Sequence, residues 1–139
     1  MIKSIACVVT TLALSLVIAQ AAEKTAVDLS KIPPASDKTG VTYATDIKPI
    51  FDKSCIRCHG AEKPKARLRL DGLETALKGG EDGKVVLPGN SADSMLVHCV
   101  AHVGKPDGFM PPPRNKANIP PLTKEQIGLV RAWIDQGAK

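Results

Sequence analysis

Apolar residues recur at helical spacing in three stretches of the chain. Ile47, Ile50 and Phe51 form the first stripe, and Thr45 ahead of it is a good N-cap with Asp46 in the first turn. Pro49 falls early enough in that helix to be tolerated. The second stripe is Leu96, Cys99, Val100 and Val103. It predicts a helix over residues 92–103, entered from the turn-forming run Pro88-Gly89-Asn90-Ser91. The third is Ile127, Val130, Trp133 and Ile134. Thr123 with Gln126 three positions on predicts its start as a capping box, and Gly137 its end. Leu73 to Lys78, closed by Gly79-Gly80, suits a short helix, and Arg67 to Leu70 a brief extended piece. The expected fold is all-α, a small domain of three to four helices joined by long ordered loops.

The N-terminus has a different pattern. Lys3 precedes an uncharged, mostly apolar run from Ile5 to Ala19, and Ala19-Gln20-Ala21 follows as a small-x-small pattern. That is the form of a secretory signal, with cleavage expected after Ala21 or Ala22. The run is too short for a bilayer's hydrocarbon core of roughly 30 Å. Residues 22–40 have no period and contain Pro33-Pro34, so they read as a flexible tether. The expected organisation is a signal peptide over 1–21, a linker over 22–40 and one domain over 41–139, in the periplasm or on the extracytoplasmic side of the membrane.

Composition sharpens this picture. Two Phe, one Tyr and one Trp are a thin aromatic supply, while eleven Pro and eleven Gly favour loops over a regular sheet. A domain of this size has little interior of its own, and a bound apolar group would fill the gap. Of the four cysteines, Cys7 lies in the export segment, which leaves Cys55, Cys58 and Cys99. An odd number in a disulfide-forming compartment calls for another use of sulfur.

Cys55-Ile56-Arg57-Cys58-His59 supplies it. Two thiols separated by two residues on a turn reach the two vinyl groups of one porphyrin, and the next residue sets its imidazole under the iron. Chance gives this pattern in on the order of one in a thousand chains of this length. The expected cofactor is therefore one covalent haem c, bound through Cys55 and Cys58, with His59 as an axial ligand. A thioredoxin-like pair would need a βαβ context. A Cys₃His zinc module from Cys55, Cys58, Cys99 and His102 would join halves separated by more than the usual finger spacing and leave His59 idle.

Candidates for the second axial ligand are Met95, Met110, His98 and His102. On the second predicted helix His98 and His102 point roughly 130° away from the apolar face, toward solvent, and Met95 lies on the same outward side. Met110 stands before Pro111-Pro112-Pro113. That rigid extended run suits a thioether that must hold iron without a strong bond. Met110 is the expected ligand; the alternative is a methionine packing its loop onto the core. Methionine raises the reduction potential, and a six-coordinate iron leaves no substrate site.

These residues form a series: Asp46-Ile47-Lys48-Pro49-Ile50-Phe51, the Cys55–Gly60 motif, Leu68-Arg69-Leu70-Asp71, Pro88-Gly89, Met110-Pro111-Pro112 and Trp133-Ile134-Asp135-Gln136-Gly137-Ala138. The series resembles the planctomycete-type cytochrome c domain of the class I cytochrome c superfamily, over about Tyr43 to Ala138. The resemblance implies His59/Met110 ligation and packed terminal helices, with Phe51 and Ile47 against Trp133 and Val130.

Charge suggests a partner. The whole chain carries a formal net charge of +5. Past the export segment, the surplus concentrates around Lys63, Lys65, Arg67 and Arg69, and around Lys105, Arg114 and Lys116. Both stretches flank expected ligands. Such a surface would steer an acidic redox protein or neutralise haem propionates. The export signal and the lack of aromatic platforms argue against nucleic acid. The expectation is a monomeric, exported one-electron carrier, not an enzyme in its own right, though able to accept electrons from a dehydrogenase. The alternative is a haem-based small-ligand binder with a labile distal ligand.

Overall fold

The computed structural model describes residues 27–139. The expected export segment, its cleavage point and Cys7 lie outside the described residues. Within them the α-helices are α1 (Lys48–Ser54), α2 (Ile56–His59), α3 (Leu73–Lys78), α4 (Met95–Val100) and α5 (Lys124–Asp135). No strand occurs among the described residues, only an isolated bridge between Gly80 and Gly83. No helix among them is long and apolar enough to cross a membrane. The all-α class is as expected, but the described residues form five α-helices, because the first predicted helix breaks at Cys55. That residue leaves helical geometry (φ −122°, ψ −42°). Its carbonyl accepts from both Cys58 N–H at 3.1 Å and His59 N–H at 2.9 Å, which starts a separate turn.

The helix ends show where local signals won or lost. Thr123 and Gln126 form the predicted capping box on α5, and α3 has the predicted limits. The first helix is capped by Thr42, not Thr45; a π-helical turn over Tyr43–Ile47 precedes α1. Asp46 favours this start, because its carboxylate accepts from the Thr42 N–H at 3.0 Å. The second predicted helix shrinks to Met95–Val100. On its N-terminal side Ser94 Oγ donates to the Asn90 carbonyl and accepts from the Leu87 N–H, and Ser91 bonds Asp135 through both its N–H and its hydroxyl. Beyond its end His102 adopts φ +54°, which a continuing helix cannot use.

The core gathers around three aromatic rings. Tyr43, Phe51 and Trp133 lie 5.9–6.3 Å apart, centroid to centroid, at steep interplanar angles, the geometry ring quadrupoles favour. Ile47, Phe51, Val130 and Trp133 are all fully buried in this cluster. The packing of first against last helix implied by the resemblance is therefore present. The chain end joins it: Lys139 O accepts from Tyr43 N–H at 2.7 Å and from Trp133 Nε1 at 3.1 Å.

The expected tether does not run free in its described part. Residues 32–38 lie across α5. Ile32 is buried, the Ser36 N–H donates to Gly128 O at 2.9 Å, and Arg131 donates to Pro33 O at 2.6 Å. Any Cβ at position 128 would stand 2.8 Å from the Pro34 carbonyl oxygen, so the strap requires glycine there. The sequence hid this contact, because it uses backbone carbonyls and one apolar side chain rather than a periodic stripe.

Lys38 ends the strap in an ion pair with Asp46. That pair, then the Thr42 amide and the Thr45 hydroxyl, hold the Asp46 carboxyl at about 2, below its ordinary 3.8. A carboxyl more acidic in the folded than in the unfolded chain stabilises the fold fully above the unfolded value. That contribution fades as pH falls from about 4 toward 2. Acid unfolding followed by circular dichroism should accordingly show a loss in that window, and Asp46→Asn should remove that part of the pH dependence.

Candidate functional site

The Cys55–His59 turn leads out of the aromatic core, and the short segment Leu68–Leu70 fixes its orientation. His59 is only 6% exposed. Its Nδ1 lies 3.1 Å from the Leu68 carbonyl, which can only accept, so Nδ1 carries the proton and Nε2 presents its lone pair. Burial pushes the His59 pKa down, partly opposed by the Leu68 and Lys65 carbonyls. A neutral imidazole with one nitrogen tied to a carbonyl is the form that binds metal. The segment is itself held on both sides. Leu70 N–H donates to His59 O at 2.7 Å, and the Tyr43 hydroxyl donates to Leu70 O at 2.9 Å.

Cys55 is buried and Cys58 half-buried, and neither pairs in a disulfide among the described residues. Burial first, and then the neighbouring Cys58, push the Cys55 thiol up to about 12. Burial of this kind disfavours the reactive thiolate that a dithiol redox motif needs. Cys55, Cys58, His59 and Met110 line one cavity of about 320 Å³, walled by Leu70, Leu96, Val100, Pro111 and Ile119. A smaller void of about 40 Å³ also meets His59, Leu96 and Met110. The four residues singled out in the sequence therefore meet, although Met110 is remote from the others along the chain.

Met110 reaches the cavity from a loop pinned to the end of α4. Its N–H donates to Cys99 O at 3.0 Å, and Pro111 behind it is buried. The following loop is closed by Asn115, whose side-chain nitrogen donates to the carbonyls of Pro112 and Ile119 at 2.9 Å each, while its oxygen accepts from Ile119 N–H. Asn115 was not legible as a site residue. A lone asparagine among prolines signals a turn, but nothing in the sequence says that the turn walls a cavity.

The other ligand candidates are accounted for. Met95 is 43% exposed, on the outward side as expected. His98 and His102 are half-buried rather than solvent-exposed. Nε2 of His98 lies 2.6 Å from the Ala92 carbonyl, and His102 stacks on Phe109. The chain bends back on both rings because α4 is shorter than its apolar stripe suggests. Among the described residues no three His, Cys, Asp or Glu side chains converge to hold a metal ion, so the zinc alternative has no assembled site.

The cavity mouth is cationic. Arg57, Lys65, Arg114 and Lys116 line it, and no carboxylate does. The two basic stretches contribute unequally. Arg67 pairs with Glu81 at 3.2 Å, and Arg69 holds Asp71 through two nitrogens at 2.7 and 3.0 Å.

An apolar cavity, two adjacent thiols at its wall, an imidazole with its outer nitrogen satisfied and a thioether on a braced loop make a donor set that fits one covalently held haem. Residues 55–114 match the family model described as Planctomycete cytochrome C. No curated protein and no solved structure gives a significant match. The segment that holds the Cys-x-x-Cys-His turn, Met110 and everything between them is thus similar to the planctomycete cytochrome C family.

Proposed function

We propose that the protein is an exported monohaem c-type cytochrome that carries one electron at a time. In this reading Cys55 and Cys58 hold the haem through thioethers, and His59 and Met110 are its axial ligands. The observation that carries the reading is that all four residues line one apolar cavity. A bound haem supplies the one-electron couple; the chain supplies its surroundings. Leu68 O keeps the His59 ring in the ligating tautomer. Leu70, Leu96 and Val100 exclude water from the interior of the site, which favours the less charged reduced state. Met110 adds a soft sulfur that favours ferrous iron. No general base, nucleophile or oxyanion site enters this mechanism. The apolar run before residue 22 is its export signal, and the periplasm its place of work.

The cationic mouth gives the reading a partner, an acidic redox protein that docks over a small interface. Four cationic side chains around an edge accelerate encounter with such a surface and leave the complex short-lived. The same charges would neutralise haem propionates. The second reading, a haem-based ligand binder, is favoured by Met110's position on a loop rather than a helix, since a loop could release it.

Three measurements test these statements. Intact mass of material matured in a host with c-type haem attachment should exceed the bare polypeptide by one haem. Cys55→Ala with Cys58→Ala should abolish that increment, and an unmodified mass in the parent would end the cytochrome reading. Met110→Ala should lower the reduction potential and let carbon monoxide bind the reduced protein readily. An unchanged spectrum would mean another distal ligand, and fast binding by the parent would favour the ligand binder. Electron transfer to an acidic partner should slow as ionic strength rises, because screening shortens to roughly 8 Å at 0.15 M salt; a rate flat in salt would remove the steering role.

A further inference from the structure

Where α4 ends, the chain makes an unusual choice. His102 occupies the left-handed region at φ +54°, where glycine or asparagine ordinarily serves. Its ring lies parallel to Phe109, with centroids 4.7 Å apart and an interplanar angle of 2°. Its Nε2 is buried with no hydrogen-bond partner among the described residues. A residue selected only to end a helix would need no ring, and one selected for hydrogen bonding would not leave this nitrogen bare. What the ring does is hold Phe109, the residue immediately before Met110.

The backbone makes the same connection. Cys99 O accepts from His102 N–H at 3.2 Å and from Met110 N–H at 3.0 Å. One carbonyl therefore joins the helix end to the loop that returns beside it, and the stacked rings close the gap between the two a short way out. Residues 103–108 travel between these two fastenings, with a 3₁₀ turn over Pro106–Gly108 delivering Phe109 to the stack. Met110 thus stands at the end of a loop pinned by one hydrogen bond and one ring pair.

We propose that His102 is a positioning residue for Met110: through its stack on Phe109 it fixes the height and direction from which the methionine enters the cavity. This rests on the assignment of Met110 as an axial ligand. It explains why a histidine that could have served as a ligand is turned to pack on a phenylalanine instead. It also assigns to the ring, and not to the left-handed backbone, the influence on the iron.

Two variants of the haem-loaded protein separate ring from backbone. His102→Asn keeps a residue at home in the left-handed region but removes the stack; His102→Tyr keeps an aromatic face. The Asn variant should show amide exchange at Met110 faster by about tenfold, a lowered reduction potential and faster carbon monoxide binding to the reduced form. The Tyr variant should stay close to the parent in all three. If both variants behave alike, or if His102→Asn leaves Met110 exchange unchanged, the proposal is overturned. If His102→Asn frees the Met110 amide while neither it nor Met110→Ala alters carbon monoxide binding, the stack does pin the loop, and the ligand assignment is what fails.

Discussion

The structure hinges on the hydrogen bonding of one short extended segment. Leu68 faces the cavity side through its carbonyl on His59 Nδ1, and Leu70 faces the core side through its carbonyl on the Tyr43 hydroxyl. Between them the Leu70 amide holds the His59 carbonyl. Three bonds thereby couple the imidazole's orientation to the aromatic cluster of Tyr43, Phe51 and Trp133. Each is worth only about 1 kcal/mol net. Their importance is geometric, because a buried imidazole whose outer nitrogen lost its carbonyl would be free to rotate. The segment joins no ladder among the described residues, and a helix end and two side chains satisfy its polar groups instead.

How far the sequence disclosed this arrangement depended on the kind of interaction involved. The Cys-x-x-Cys-His turn was legible because its chemistry demands fixed spacing, and α5 because its capping box and apolar stripe agree with each other. The prolines behind Met110 made its place at the cavity wall legible. Other features rest on single polar side chains that bond backbone groups, and hydrophobic periodicity does not report those. The early start at Thr42 depends on Asp46, the shortening of α4 on Asp135 reaching Ser91, and the closure of the distal loop on Asn115. The burial of His98 and His102 was misread for the same reason. Helix periodicity assigns an outward face, but it cannot tell whether a loop will fold back over that face.

Two walls of the cavity differ in kind. The His59 wall is tied to the aromatic core through a dense set of hydrogen bonds. The Met110 wall is a proline-rich loop fastened by Cys99 O, a ring stack and Asn115. Under the proposed ligation, this asymmetry would hold His59 fixed and leave Met110 open to adjustment. Charge follows the same division: Arg114 and Lys116 lie on the loop side of the mouth, and Arg57 and Lys65 on the turn side.

The strap over α5 moves the working boundary of the domain. A fragment begun at residue 41 would strip Ile32 from the apolar interior and take the Pro33 carbonyl from the Arg131 guanidinium. It would also bare the notch at Gly128, whose backbone carbonyl now bonds Ser36. Surface of that kind invites self-association. Fusions, electrode attachment and affinity tags are therefore better joined upstream of residue 27, where the whole strap stays in the unit being moved.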